Sequence, residues 1–176
     1  MRAGQRYIRG EWEYPTGWAR PVRPAFCDLQ SFSSKTPRRK FVLGLRRYHI
    51  LRLPYRDLDM LVASQLLGMH KDRFPTFDET RFDAFMRAAE ADACVYSLDG
   101  TALAVSINVP FYTDRVVAAQ LFAWDRNRLS HMGLGSADFR LQAHWYKALG
   151  FHLYALEEDA EYKRNAFGDS YEVRVP

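Results

Sequence analysis

The chain has 176 residues, of which 48% are apolar and 26% charged, and its formal net charge is +4. This composition is typical of one globular domain with a sizeable core, and no apolar run approaches the roughly 18 residues that a membrane span needs. Residues 1–15 lack the apolar segment of a secretory signal. The two cysteines, Cys27 and Cys94, show no ligand spacing, so we expect a reducing, cytoplasmic setting.

Positive charge is concentrated near the N-terminus. Residues 1–47 hold 11 of the 25 Lys and Arg residues but only 3 of the 21 Asp and Glu residues. Residues 1–37 also contain four prolines and no sustained hydrophobic period, so we predict an extended basic arm over 1–37 and one folded domain over 38–176. Such an arm suits a polyanion, for example tRNA or DNA. The alternative is an arm whose charges are solvated and whose aromatic residues dock on its own domain.

Residues 38–109 alternate between helical and strand patterns. In chain order they predict a short helix over 38–47, a strand over 48–53 and a longer helix over 57–70. A second longer helix that includes 82–89 and a hairpin over 93–109 follow. The first longer helix has an apolar stripe: Leu58, Leu61, Val62, Leu66 and Met69. A capping box from Thr76 to Glu79 precedes the second. Asp99-Gly100 has the sequence of a two-residue hairpin turn.

Residues 116–157 predict a strand, a polar loop, a helix and a second strand. The helix follows Gly133-Leu134-Gly135, and Gly135 or Ser136 is suited to be its N-cap residue. Four apolar residues of this helix are expected to face a sheet: Phe139, Ala143, Tyr146 and Leu149. A glycine-containing turn before a helix presents free backbone N–H groups, so we predict an anion site there. The alternative is a turn that serves only β-α-β packing.

A short helix over 159–164 and a strand over 171–175 complete the pattern, with Gly150 suited to end the preceding helix. The whole order predicts an α/β fold with a mixed sheet and helices on both faces. The sequence contains no nucleophile elbow, no phosphate-binding Walker loop and no metal-ligand spacing. We therefore expect no metal cofactor.

This order resembles the GNAT acyltransferase superfamily, most closely over residues 93–157. In that family the loop before the helix binds the pyrophosphate of acyl-CoA through its backbone N–H groups. The resemblance implies a donor-binding loop made of seven consecutive residues: Ser130, His131, Met132, Gly133, Leu134, Gly135 and Ser136. Gly133 and Gly135 match the family pattern, whereas Ser130 stands where the family usually has Gln or Arg.

A subgroup of that superfamily is similar over a longer range, roughly residues 35–168. The basic segments 35–40 (Lys-Thr-Pro-Arg-Arg-Lys) and 46–47 (Arg-Arg) look like the lead-in of the FemAB-like aminoacyltransferases and their acetyltransferase relatives. Residues 162–168 (Tyr-Lys-Arg-Asn-Ala-Phe-Gly) look like the segment that ends their domain. Because FemAB-like proteins place a functional lysine there, the resemblance implies that Lys163 contacts the oxyanion or the donor phosphate. A surface lysine beside Arg164 is the alternative.

Acyl transfer to an amine also requires a base that deprotonates the amine. Glu157 and Asp125 are our candidates because they lie at the ends of predicted strands, where open α/β sheets place their sites. Tyr162 is a candidate acid toward the leaving group, and His131 is the best placed of the histidines. A carboxylate at the end of a strand is otherwise a solvated loop charge.

The residues and the resemblance together predict an enzyme that moves an acyl or aminoacyl group to a primary amine. The donor is acyl-CoA or aminoacyl-tRNA, and the basic arm suits a tRNA donor or a nucleic-acid acceptor. The alternative function is a non-catalytic module of the same fold that uses the arm to bind nucleic acid or a protein assembly. Fold alone does not distinguish the two functions.

Overall fold

A computed structural model describes residues 7–8, 11–12, 23–33, 45–129, 134–158 and 160–173. The strands are β1 (Tyr7–Ile8), β2 (Glu11–Trp12), β3 (Pro24–Asp28), β4 (His49–Pro54), β5 (Asp92–Leu98), β6 (Thr101–Phe111), β7 (Val116–Trp124), β8 (Leu153–Glu158) and β9 (Tyr171–Val173). The helices are α1 (Met60–Arg73), α2 (Glu79–Ala88), α3 (Arg126–Leu129), α4 (Leu134–Ala148) and α5 (Glu161–Phe167). Two 3₁₀ turns cover Tyr55–Asp57 and Gly168–Ser170.

Seven of the strands form one sheet in the order β4-β5-β6-β7-β8-β3-β9, while β1 pairs with β2. β7 runs parallel to β8, and β3 runs antiparallel to both β8 and β9. The predicted mixed α/β sheet is therefore confirmed. Among the helices of the described ranges, none has both the length and the apolar character needed to cross a bilayer.

The chain folds as two compact units. The first unit comprises Met1–Lys35, Pro110–Ala119 and Phe139–Pro176, and the second comprises Thr36–Val109 and Gln120–Asp138. The arm boundary expected at residue 37 falls within 34–44, which lies outside the described residues, so it stays a prediction. Most of the short helix expected over 38–47 lies outside them as well.

β3 lies within the segment that the sequence assigns to the arm. It has five residues, too few to show a hydrophobic period, and three of them are at most 2% exposed. The turn that follows β3 is held by Lys147 of α4, whose Nζ donates hydrogen bonds to the backbone oxygens of Gln30 (3.0 Å) and Phe32 (2.6 Å). Residues 24–32 are therefore part of the packed body of the first unit.

The core of the first unit gathers aliphatic and aromatic side chains around α4 and β8. Its largest members are the following aromatic residues: Phe32, Phe139, Tyr146, Phe151, Tyr154 and Phe167. Several of their rings pack edge to face, for example Tyr154 against Phe167 at 6.2 Å between centroids. Such pairs contribute about 0.5–1.5 kcal/mol beyond the area they bury. This core fixes α4 and α5 relative to β8.

The inward face predicted for α4 is confirmed at Phe139, Ala143 and Tyr146, which are at most 6% exposed. It is wrong at Leu149, which is 46% exposed. The reason is that α4 ends at Ala148 and the chain then turns at Gly150, where φ is +83°. Leu149 thus lies beyond the helix, and Gly150 ends it as predicted.

Aspartates are the N-cap residues of both longer helices of the second unit. Asp59 Oδ1 accepts from the backbone N–H of Leu61 at 2.9 Å, and Asp78 Oδ1 accepts from that of Arg81 at 2.9 Å. Because Asp78 caps α2, the capping box predicted from Thr76 is wrong. An aspartate at this position stabilises a helix by roughly 1 kcal/mol through the same hydrogen bond.

The predicted stripe of α1 is confirmed at Leu58 and Leu66, which are at most 6% exposed, but it is wrong at Leu61. Leu61 is 81% exposed, whereas Ala63, Leu66 and Leu67 are at most 2% exposed. With α1 starting at Met60, the helical repeat places Leu61 on the side opposite these three residues. By contrast, helical spacing predicts an inward face of α2 made of Phe82, Phe85, Met86 and Ala89, and this is confirmed at Phe82, Met86 and Ala89, which are at most 3% exposed.

The hairpin of the second unit follows its sequence closely. Asp99 (φ +51°) and Gly100 (φ +77°) both adopt positive φ between β5 and β6. Positive φ at both central residues defines the type I′ turn, which an Asp-Gly pair favours. The predicted hairpin is therefore confirmed.

Candidate active site

The C-terminal end of β8 departs from regular pairing. Against β3, Ala155 pairs with Phe26 and Glu158 pairs with Pro24, with a shift of register between the two pairs. Leu156 and Glu157 together therefore oppose a single residue of β3, which is a β-bulge. Bulges are common beside active sites, where the extra residue redirects a side chain.

Glu157 occupies the left-handed backbone region at this bulge, with φ +59°. Glycine usually supplies this conformation, because other residues incur a steric cost of roughly 1 kcal/mol or more. A strained non-glycine residue persists only where its surroundings impose it, and such residues cluster at functional sites. Glu157, predicted from the sequence as a candidate base, is thus placed at a locally strained point of the first unit.

Lys163 lies beside the bulge on the first turn of α5. Lys163 is only 5% exposed, and its Nζ donates a hydrogen bond to the backbone oxygen of Leu156. The same Nζ is 5.7 Å from the ring centroid of Phe139 and 5.9 Å from that of Tyr162. The alternative of a surface lysine is therefore wrong.

The carboxylate of Glu157 has an unusual proton affinity. Loss of solvent raises its pKa from 4.5 to about 7, and the positive charge of Lys163 opposes that shift. Desolvation therefore outweighs the attraction of the neighbouring ammonium group. A carboxyl group with a pKa near neutrality exchanges protons at physiological pH, which is what a general base or acid requires.

Tyr162 stands at the surface of the same region. It is 50% exposed, and its ring packs against that of Phe139 at 6.0 Å between centroids. α5, which carries Tyr162, is fixed at its far end by Arg140 of α4, whose Nη1 donates to the backbone oxygen of Ala166 at 2.7 Å. The first unit therefore brings together three of the predicted residues: Glu157, Tyr162 and Lys163.

Asp125 lies in the second unit and has a capping geometry. Its Oδ1 accepts from the backbone N–H groups of Asn127 at 2.9 Å and Arg128 at 3.2 Å, at the start of α3. Its Oδ2 is 3.7 Å from Nε of Arg128. These contacts give Asp125 a structural task, and its catalytic role stays a prediction.

The predicted donor-binding loop is only partly described. Ser130, His131, Met132 and Gly133 lie outside the described residues. Leu134 is the first described residue of α4, so Gly135 and Ser136 lie inside its first turn. The prediction that either one is the N-cap residue is therefore wrong.

Gly135 has room for a larger side chain. A Cβ atom built there would lie 3.6 Å from Cε1 of Phe122, which is an ordinary van der Waals contact. Packing against the described residues of the second unit therefore does not require glycine at this position. Donor binding by residues 130–136 stays a prediction.

Asp138 is a buried carboxylate on α4. It is fully buried, and its Oδ1 accepts a 2.5 Å hydrogen bond from the hydroxyl of Tyr96 on β5. Burial raises the pKa of Tyr96 well above its usual value, so the phenol stays protonated and donates. Asp138 thus joins α4 to the sheet of the second unit, a contact between residues 42 positions apart that no local pattern could show.

Among the described residues, neither the cysteines nor the histidines form a cluster of the kind that binds metal. Within the described ranges, no group of three or more His, Cys, Asp or Glu residues could hold a metal ion. Cys27 and Cys94 are both buried, and no disulfide joins them. Burial raises the pKa of Cys27 above its usual range, so this thiol is not activated as a nucleophile.

Sequence comparisons found no relatives: no protein-family model matches the chain, and no curated protein does. Comparison with solved structures found proteins of similar fold. FemX matches 92% of this chain and 61% of its own, with a TM-score of 0.64 and 11% identity. A GCN5-related glucosamine N-acetyltransferase region of a fungal multi-domain GH3 β-N-acetylglucosaminidase matches 87% of this chain and 20% of its own, with a TM-score of 0.63 and 12% identity.

L-PGS from Bacillus licheniformis is also similar, over 78% of this chain and 45% of its own, with a TM-score of 0.57 and 15% identity. This chain thus spans about half of the length of L-PGS and about three fifths of that of FemX. At these identities the likeness establishes the fold alone. The chain has a GNAT-like fold of the kind found in FemX, as the order of its elements predicts.

Proposed function

We propose that this protein is an N-acyltransferase that moves an acyl or aminoacyl group from an activated donor to a primary amine. The observation that carries the proposal is Glu157: a carboxyl group with a pKa of about 7, held in a strained backbone conformation on a GNAT-like fold. The N-acetyltransferase region among the similar structures, named for transfer to glucosamine, supports an amine as acceptor.

In the proposed reaction Glu157 acts as the base. Its carboxylate takes a proton from the acceptor ammonium group, and the free amine then attacks the acyl carbonyl carbon of the donor. The tetrahedral intermediate collapses with cleavage of the bond between the acyl carbon and the leaving group. Tyr162, whose side chain is accessible, supplies a proton to the departing thiolate or ribose oxygen, and its phenolate takes the remaining extra proton from the nitrogen of the new amide.

The donor is acyl-CoA or aminoacyl-tRNA. Residues 130–136 are proposed to hold its phosphate through backbone N–H groups at the start of α4, as a helix N-terminus favours anions. Backbone donors of this kind do not depend on the residue type, so Ser130 in place of the usual Gln or Arg is compatible with the proposal. No metal is invoked.

The proposal is tested by incubating the protein with acetyl-CoA, or with charged tRNA, and a set of primary amines that includes aminoglycosides, amino sugars and lysyl peptides. We expect a product whose mass has increased by the acyl group, formed with wild-type protein and strongly reduced with Glu157→Gln. A rise in melting temperature with the productive donor would identify which donor binds. Absence of any acylated product with both donors would sink the proposal.

Nucleic-acid binding through the basic arm is a separate question. Deleting residues 1–22 leaves β3 intact, whereas a cut beyond Arg23 would remove part of the sheet. If the arm binds tRNA or DNA, this deletion lowers the affinity and flattens its dependence on salt. Salt-sensitive binding without any acyl transfer would favour a non-catalytic binding module of the same fold.

A further inference from the structure

The bulge in β8 and the ammonium group of Lys163 form one local arrangement. A bulge interrupts the hydrogen-bond ladder, so a backbone group near the extra residue has to find another partner. Here the backbone oxygen of Leu156, immediately before Glu157, accepts from Nζ of Lys163. A side chain from the next element thus supplies the contact at the point where the ladder is irregular.

The environment of Lys163 limits what else its ammonium group does. The residue is 5% exposed and packs over the ring of Phe139, with 5.7 Å between Nζ and the centroid. Burying an ammonium group is costly unless hydrogen bonds and opposite charge compensate it. The Leu156 oxygen supplies a hydrogen bond, the Phe139 ring supplies a favourable π face, and Glu157 supplies the opposite charge.

We propose that Lys163 is a positioning residue: by donating to the Leu156 oxygen it locks the β8 bulge and thereby holds Glu157 in its left-handed conformation. This rests on the proposed function only in that it gives Glu157 its place in the reaction. The lock itself is a property of the folded chain. In this role Lys163 positions Glu157 and does not contact the oxyanion or the donor phosphate directly.

The lock and a simple charge pair make different predictions for stability. If Lys163 locks a strained residue, its removal costs less once residue 157 is a glycine, because glycine adopts positive φ without strain. Glutamine at 157 keeps the strain but removes the charge. If Lys163 only neutralises Glu157, then glutamine and glycine at 157 reduce the cost of removing Lys163 equally.

The experiment is therefore a set of thermal unfolding measurements on Lys163→Met in three backgrounds: wild type, Glu157→Gln and Glu157→Gly. We expect the largest fall in melting temperature in wild type, a smaller fall with glutamine, where Lys163 has already lost its opposite charge, and a clearly smaller fall still with glycine, where the strain is also relieved. Lys147→Met is the matched control, because Lys147 also donates to backbone oxygens, of Gln30 and Phe32, but in a different part of the unit. Its effect should be the same in all three backgrounds.

Three outcomes would overturn the lock. They are equal falls in all three backgrounds, a fall that shrinks equally with glutamine and glycine, and failure of Lys163→Met to fold even with glycine at 157. A Lys163→Gln variant, which keeps a hydrogen-bond donor without the charge, should retain more of the melting temperature than Lys163→Met. If it retains none, the charge and not the hydrogen bond matters, and the lock is again rejected.

The role in the reaction has its own readout. A positioning residue lowers kcat and leaves KM for the donor nearly unchanged, whereas loss of a donor-phosphate contact raises KM. We expect the first pattern for Lys163→Met. If the protein shows no acyl transfer, the proposed function fails while the unfolding measurements still decide the lock.

Discussion

Two carboxylates, one in each unit, illustrate two uses of a half-buried acid. Asp83 of α2 accepts from the hydroxyl of Tyr55 at 2.8 Å through Oδ1 and from Nε of Arg87 at 2.8 Å through Oδ2. Both oxygens are thus bound by donors that also fix the 3₁₀ turn against α2. Charge-assisted hydrogen bonds of this kind stabilise a fold.

Glu157 of β8 is placed differently. It lies on a strained bulge, and desolvation raises its pKa to about 7 in spite of the positive charge of Lys163. Its ionised form is therefore disfavoured by the fold, whereas both oxygens of Asp83 accept hydrogen bonds. Hydrogen bonds to both carboxylate oxygens thus mark Asp83 as a structural acid. The desolvated, strained position of Glu157 marks it as the candidate catalytic carboxyl group.

The largest effect expected is on activity. Glu157→Gln removes the base but keeps the size of the side chain, so we expect kcat to fall by about 100-fold or more. The same carboxylate-to-amide change in the other unit, Asp83→Asn, should leave kcat within about twofold once folding is allowed for, since Asp83 touches no proposed reacting atom. Steady-state kinetics on folded protein measure both variants. Equal losses in the two variants would erase the distinction between the acids.

The next effect is on stability, where we expect the Asp83 variant to lose more than the Glu157 variant. Asp83→Asn disturbs two hydrogen bonds to groups with little access to water, so we expect the free energy of unfolding to fall by about 1–3 kcal/mol. Chemical denaturation followed by fluorescence measures it. Glu157→Gln at pH 6 should change the same quantity by less. A larger loss for Glu157→Gln would show that Glu157 is the structural acid.

A smaller effect isolates the backbone strain at the bulge. Glu157→Gly relieves the positive φ and should be more stable than Glu157→Gln by about 1 kcal/mol, since both variants lack the charge. Denaturation at a single pH compares them. A glycine variant less stable than the glutamine variant would mean that the left-handed conformation costs little here.

The smallest effects are changes in the pH dependence of stability, and the two units should respond with opposite signs. Glu157 has its pKa raised in the folded state, so its contribution is present below pH 4.5 and is lost as pH rises through about 7. Glu157→Gln should therefore reduce the drop in melting temperature between pH 5 and pH 8. Melting curves over that range test it, and an unchanged drop would contradict the assigned pKa.

His70 of α1 provides the opposite case. It packs against Phe74 and Phe77, each at 4.7 Å between ring centroids, and burial lowers its pKa from 6.5 to about 4. Its contribution is present above pH 6.5 and is lost as pH falls through about 4. His70→Phe should make the melting temperature less sensitive to acid, and the same curves measure it.

The sequence predicted the elements whose signals are local. The Asp99-Gly100 turn, the inward residues of α2 and most of those of α4 follow from positive φ preferences and helical spacing. The GNAT-like fold is implied by the resemblance of the element order and motifs to that superfamily. Helix starts were less predictable, because several polar residues compete to cap: Asp78 caps α2, although Thr76 and Glu79 match a capping box. Residues 24–28 were missed as a strand because their partners are distant in sequence.

The candidate site was predictable only in its parts. Glu157, Tyr162 and Lys163 were singled out by position and resemblance, but their arrangement depends on the bulge, which appears only when β3 is paired with β8. The burial of Lys163 was hidden for the same reason. A short segment that reads Tyr-Lys-Arg gives no indication that its middle residue points inward.

The pairing of β3 with β8 also has a consequence for biosynthesis. The two sides of the bulge are separated by about 130 residues, so the first is made long before the second, and closing so long a loop slows folding. Until β8 and α5 have left the ribosome, the apolar residues of β3 lack their partners in the sheet, and Glu157 has no bulge to occupy. The proposed active site is thus completed only after β8 and α5, which follow the hairpin of β5 and β6 in the chain, have been synthesised. A chain released before them would contain the hairpin but would lack Glu157.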